Sequence, residues 1–110
     1  MGITKTDLYT AKQNKLATIY KCLGHPARIA ILEYLAAKKS CINTSLVNEI
    51  GLAQPTISQH LTALKELGLI KGTIEGKAMN YCINQEKWND IKNETDRFFH
   101  RVAINDGDCC

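Results

Sequence analysis

The sequence predicts a mainly α-helical domain carrying one two-stranded β-hairpin. Three observations predict it. Between Leu46 and Leu69, the stretch LVNEIGLAQPTISQHLTALKELGL sets two short apolar-periodic segments either side of a turn at Gly51–Gln54, the pattern of a helix-turn-helix. Directly after it, in LIKGTIEGKAMNYCIN, the apolar period changes from helical to alternating. A further helical pattern then closes the chain. A hairpin placed behind a helix-turn-helix is a wing, so the fold class is a winged helix-turn-helix: four helices, two strands and a last helix.

The elements follow in order. Residues 7–23 read as a first helix with Leu16, Ile19, Tyr20 and Leu23 on an apolar stripe, and Gly24 is placed to end it as a left-handed cap. His25-Pro26 opens the second helix, since proline suits a first helical position. There Ile29, Ile31, Leu32, Leu35 and Ala36 cover more than one face, which predicts a central buried helix ended by Lys38-Lys39-Ser40. Asn43 or Thr44 can cap a short third helix bearing Leu46, Val47 and Ile50. The fourth helix runs from about Pro55 to Leu67, with Gly68 after it. In the hairpin, Ile70 and Ile74 face Met79, Tyr81 and Ile83 across a turn at Glu75-Gly76-Lys77, and Cys82 points to the other face.

Asn84 can cap the last helix, where Trp88, Ile91, Thr95, Phe98 and Val102 recur in 3-4-3-4 steps with Phe99 beside them. That is the seam of a helix packed along another helix. The expectation is a homodimer whose interface uses Leu16 and Tyr20 of the first helix with Trp88, Ile91, Phe98, Phe99 and Val102 of the last. On this reading residues 1–104 are expected to form the winged helix-turn-helix DNA-binding and dimerisation domain, and 105–110 a flexible, cysteine-containing tail.

Composition narrows the function. With 110 residues, 45% of them apolar and 23% charged, the chain is one ordinary globular domain. No apolar run approaches the ~20 residues that cross a bilayer, and the first residues lack a hydrophobic signal core, so no membrane partner and a cytoplasmic location are expected. The net charge of +3 is unevenly spread: residues 1–37 hold five Lys/Arg against two acids, 38–80 five against three, and 81–110 four against six. A basic front with an acidic tail suits a polyanionic partner. Five cysteines, an odd number without a CxxC, speak against a disulfide framework. The sequence has no glycine-rich phosphate loop and no acid–base or Cys–His motif, so an enzyme is not expected.

The fourth helix carries the chemistry. Ile57, Leu61, Leu64 and Leu67 mark its core side, and Pro55, Ser58, Gln59, Thr62 and Lys65 the other. Small, hydrogen-bonding and cationic residues on one face fit base edges in a DNA major groove. Lys71 and Lys77 on the wing are placed for phosphates beside it. His60 falls on the side of Ile57 and Leu64, as a packed, hydrogen-bonded residue. Arg28 is open between phosphate and an acid such as Glu33. A winged helix that binds only protein is the alternative of another class, but such a domain would replace this polar face.

Three blocks in this order, LGHPARIAILEYL, QPTISQHLTALKELGLI and EGKAMNYCI, resemble the ArsR/SmtB family of metal-responsive bacterial repressors over roughly residues 16–92. The resemblance implies a homodimer on an imperfect inverted repeat of double-stranded DNA, released when an inducer binds. It carries base reading onto Gln54, Thr56, Ser58 and Gln59, with Pro55 where many members have Ser, and phosphate contact onto Lys65, Lys71 and Lys77.

The inducer is less determined. One family site is a cysteine motif of the type ELCVCDL, but here SCINTSL puts Ile42 and Thr44 at its cysteines, with Cys41 one residue early. A family zinc site on the last helix uses Asp, His and Glu ligands, whereas Asp90, Glu94, Asp96 and His100 lack its spacing. Thiols remain. Cys109 and Cys110 on a flexible tail can chelate a thiophilic centre such as As(III) or Sb(III), with a third thiolate from Cys22 or Cys41 of either subunit. Some family members carry arsenic-binding cysteines near the C-terminus, which the resemblance extends to this pair. A thiol-redox or persulfide response is the alternative within the same fold.

Overall fold

The computed structural model describes residues 8–104. Its elements are α1 (Ala11–Leu23), α2 (Pro26–Lys38), α3 (Val47–Ile50), α4 (Gln54–Leu67), β1 (Ile70–Thr73), β2 (Asn80–Ile83) and α5 (Gln85–Ala103). This is the predicted order, and the wing is an antiparallel pair in which Ile70 faces Ile83, Lys71 Cys82, Gly72 Tyr81 and Thr73 Asn80.

The boundaries show where side chains override the simple pattern. α1 starts at Ala11, later than expected, because Thr10 and Gln13 form a reciprocal capping box with bonds of 2.9 and 3.1 Å. Gly24 is not left-handed, having φ −81°; a Cβ there would lie 3.1 Å from the Tyr20 carbonyl oxygen, so close approach is what the glycine allows. The left-handed residue of this region is Lys39, φ 56°, at the end of α2. His25 caps α2 by accepting the Ala27 amide on Nδ1 at 3.0 Å. The α3 N-cap is Leu46, neither Asn43 nor Thr44; Ser45, just before it, accepts the Val47 amide on Oγ at 3.2 Å, and the Thr44 carbonyl is taken by the Tyr81 hydroxyl at 3.1 Å. Asn84 caps α5 as expected, accepting from the Lys87 amide.

The core gathers Ile19, Ile31, Leu32, Leu35, Leu46, Ile57, Leu61, Leu64, Leu69, Ile70, Tyr81 and Ile91. The expectation that α2 is buried on more than one face is corrected: Ile31, Leu32 and Leu35 are inside, but Ile29 is 43% exposed and Ala36 is exposed. With an orientation fixed by its buried stripe, the helix leaves its far side in solvent. The sequence pattern also missed a third, minimal strand. Ile42 forms an antiparallel bridge with Tyr81, exchanging bonds of 2.7 and 3.0 Å, and so ties the α2–α3 connection to the wing.

Candidate nucleic-acid interface

α3 ends at Gly51, whose φ of 81° lets the chain reverse into α4 within a few residues. In α4, Ile57, Leu61 and Leu64 are almost wholly buried, which fixes the helix by its inner stripe. The outer face then follows from the 3.6-residue period: Pro55, Gln59, Thr62 and Lys65 are exposed, with Ser58 at the edge. Thr56, in the first turn, is exposed too. Gly68, φ 92°, closes the helix by donating its amide to the Leu64 and Lys65 carbonyls.

The candidate readers are not equivalent. Gln54 Oε1 accepts from Ser45 Oγ at 2.7 Å, while its Nε2 donates to Ser58 Oγ at 3.1 Å. That chain clamps the entry of α3 to the first turn of α4 and occupies both ends of the Gln54 amide. Gln59 makes no side-chain hydrogen bond within the described residues and stands exposed, so its amide is available for a bidentate contact. Lys71 on β1 and Lys77, next to the wing-tip Gly76, are exposed as well. Glu66, also exposed, is the one acid within α4.

His60 is inside, 7% exposed, as its position on the helix foretold. Its Nδ1 accepts from Arg28 Nε at 3.1 Å, and its ring lies 4.4 Å from that of His25. Burial chiefly, then the charges of His25 and Arg28, hold the His60 imidazole below its ordinary pKa. Arg28 also donates through Nη1 to the Cys22 carbonyl at 2.9 Å. Among the described residues Arg28 forms no ion pair with Glu33, its Nε and Nη1 being taken up by His60 and the Cys22 carbonyl. It is a tie between the α1–α2 corner and α4. Sequence reasoning left this open because the partner lies 32 residues away.

The cysteines fall into different settings. Cys22 is buried in the core, its thiol donating to the Ala63 carbonyl at 3.7 Å, which suits a small apolar residue better than a ligand. Cys41 is exposed and Cys82 half-buried, and the two lie side by side; the Cys41 contact first, and burial second, raise the Cys82 thiol. Cys109 and Cys110 lie outside the described residues. Among the described residues, no three His, Cys, Asp or Glu side chains cluster so as to hold a metal ion. On α5, Glu94 is engaged by Arg97 at 2.7 Å and Lys15 at 3.7 Å, and Asp96 by Lys92 at 2.7 Å.

The expected interface residues divide. Ile91 and Leu16 are buried within their own chain, and Trp88 packs against the same core. Tyr20, Phe99 and Val102 are 38%, 56% and 60% exposed, with Phe98 half-buried beside them. Tyr20 and Phe99 meet edge to face at 6.4 Å, so an apolar surface runs continuously from α1 to α5.

A polar-faced second helix, a tight glycine turn before it and a basic wing behind it define a winged helix-turn-helix DNA-binding domain. Comparisons with known proteins agree. The family model described as "Bacterial regulatory protein, arsR family" matches residues 25–71. An HTH-type transcriptional regulator of Methanocaldococcus jannaschii is 38% identical over 73% of this chain and 90% of its own length. A cadmium resistance regulatory protein CadC homolog of Staphylococcus aureus is 34% identical over 74% of this chain and 68% of its own. The crystal structure of Rv0081 from Mycobacterium tuberculosis superposes with a TM-score of 0.61 at 28% identity, covering 86% of this chain and 95% of that one. The chain belongs to the arsR family and is a helix-turn-helix transcriptional regulator, not an enzyme.

Proposed function

We propose that the protein is a homodimeric repressor that binds an imperfect inverted repeat in a promoter and lets go when a thiophilic metalloid or metal binds its thiolates. The observation that carries the DNA reading is the division of α4 into a buried apolar side and an exposed side bearing Gln59, Thr62 and Lys65. A firmly packed inner stripe fixes the helix and so the points from which the outer side chains project, as base reading requires. Two-fold pairing through Tyr20, Phe98, Phe99 and Val102 would set two such helices about one DNA turn apart.

For the inducer, the donor chemistry favours As(III) or Sb(III) on Cys109 and Cys110, with a third thiolate supplied by a second cysteine site. Cys22 fits that third role poorly, being hydrogen-bonded within the core; Cys41, exposed, fits better. Soft thiolates select soft centres, and the relative named for cadmium resistance supports a metal-type effector in general terms. The test is release of the DNA upstream of its own gene, titrated with arsenite, antimonite, cadmium, zinc and peroxide. Arsenite release that disappears in the Cys109→Ser/Cys110→Ser protein, with DNA binding retained, is the expected result. Arsenite release persisting in that variant overturns the tail site, and no binding at low salt overturns the repressor reading in favour of a protein-interaction module.

A further inference from the structure

The bridge at Ile42 has a second consequence. Because Ile42 and Tyr81 exchange both backbone bonds, at 2.7 and 3.0 Å, they are a hydrogen-bonded pair of an antiparallel ladder. The next position is then a non-hydrogen-bonded pair, and it places Cys41 opposite Cys82. Such pairs bring Cα atoms to about 4.5 Å with both side chains on one face. Ile42 and Tyr81 point into the core, 8% and 1% exposed, so the two thiols point away from it, into a cleft lined also by Lys39 and Lys71. On its other side Cys82 pairs with Lys71, so Cys41, Cys82 and Lys71 form one cross-strand row at the base of the wing.

We propose that Cys41 and Cys82 are a redox-active pair that hydroperoxides close into an intrachain disulfide, stapling β2 to the α2–α3 connection. The pair shares Cys41 with the proposed inducer site but does not use the tail cysteines, and it stands whether or not that reading holds. Disulfides span Cα separations of roughly 4.4–6.8 Å, so this pair bridges without moving the strands, but at the short limit. Closed beside an open cleft, such a bond is accessible to thiol exchange. Cys41, the exposed residue of the pair, is the attacking group, and Lys39 and Lys71 line the same cleft.

In the first step the Cys41 thiolate attacks the terminal oxygen of the hydroperoxide. The O–O bond breaks, leaving Cys41 sulfenic acid and an alkoxide or hydroxide that takes a proton from water. Cys82 sulfur then attacks the Cys41 sulfur. The S–S bond forms, the S–O bond breaks, and the departing hydroxide takes the Cys82 proton and leaves as water. The two thiols lose two electrons, and the hydroperoxide is reduced to an alcohol, or to water, plus a second water.

The test treats the full chain with hydrogen peroxide and maps linked peptides by mass spectrometry. The Cys41–Cys82 peptide should form in the wild type and in a Cys22→Ser/Cys109→Ser/Cys110→Ser variant, and glutathione should reopen it. Amide exchange at Ile42 and Tyr81 should slow in the oxidised protein. Cys82→Ser should accumulate a sulfenic acid on Cys41 that a dimedone probe traps, while still releasing DNA with arsenite if the tail site is correct. Linkage through other cysteines or between chains, or no oxidation at Cys41 in the triple variant, overturns the proposal without touching the arsenite reading.

Discussion

Replacing His60 by Ala removes the acceptor that holds the Arg28 Nε–H at 3.1 Å and opens a gap where the imidazole faced the His25 ring. A hydrogen bond to a charged group contributes about 1.5–3 kcal/mol, and Arg28 keeps only its bond to the Cys22 carbonyl. The His60→Ala protein should therefore be less stable by about 2–3 kcal/mol, a fall of roughly 10–20 °C in Tm for a domain of this size. His60→Asn separates the acceptor from the titration, since Asn Oδ1 hangs from Cγ where His Nδ1 does, and it should recover part of the loss. The pH dependence has a definite sign. His60 is held below its ordinary 6.5 in the folded chain, so between that folded value and 6.5 the unfolded chain binds the extra proton. Stability is then full above 6.5 and declines as pH falls below it. Urea unfolding of the three proteins at matched concentration, from neutral pH downward, measures both effects; fixed concentration matters because dimer formation adds to apparent stability. An Ala variant within about 0.5 kcal/mol of wild type, or a wild-type acid decline that persists unchanged in the Asn variant, refutes the role given to this contact.

Other perturbations separate reading from anchoring. Gln59→Ala should cost about 1–3 kcal/mol on the promoter site and little on random DNA in competition binding; an equal loss on both would contradict the base-reading assignment. Lys77→Ala should lower the slope of log affinity against log salt by about 2 for a dimer with two wings, and an unchanged slope would remove Lys77 from the phosphate contacts. Gly72→Ala should unmake the wing: at φ 106° its Cβ would sit 2.1 Å from the Asn80 carbonyl oxygen, against backbone that cannot step aside. Hydrogen exchange should then lose protection in β1 and β2 while the far-ultraviolet helix signal remains, and intact wing protection would refute it. Phe99→Glu with Val102→Glu should leave a monomer by sedimentation at micromolar concentration; a dimer surviving both changes would place the interface elsewhere.

What the sequence disclosed depended on whether the cause was local. The split of α4 was legible because Ile57, Leu61 and Leu64 recur at one period, and the placement of His60 followed from the same geometry. Gly51 and Gly68 marked helix ends because their left-handed φ values, 81° and 92°, are a local property of the residue. Ile29 misled, since periodicity reports how apolar a helix is and not which neighbours arrive to cover it. The Arg28–His60 bond left no trace in spacing, being a tertiary pairing of ordinary polar residues; Gln54 and Ser58 stand four apart on one helix, but the Ser45 bond that completes their chain crosses the turn. The Cys41–Cys82 pairing depended on a single bridge residue, Ile42, in a stretch with no strand pattern. Two scattered cysteines become neighbours only when that register is known.

These tertiary ties constrain how the protein could let go of DNA. The inner face of α4 is sealed against α1 and α2, Arg28 pins its middle through His60, and Ser45 and Gln54 fix its start. Bending α4 away from the groove would break all of these at once, each costing of order 1 kcal/mol or more. Two cheaper routes leave α4 intact. One is to change the spacing of the two α4 helices across the proposed dimer through the weakly covered α1–α5 surface, which spoils the match to the half-site separation. The other is to shift the outer wing beyond its base, since the base is anchored by the Ile42–Tyr81 bridge, the Tyr81 hydroxyl on the Thr44 carbonyl at 3.1 Å and the burial of Ile70 and Tyr81. An inducer bound near α5 would act by the first route and an oxidant at the wing base by the second. The two differ in a measurable way: moving the half-sites apart abolishes preference for the inverted repeat, whereas shifting the wing lowers the salt slope and leaves that preference in place.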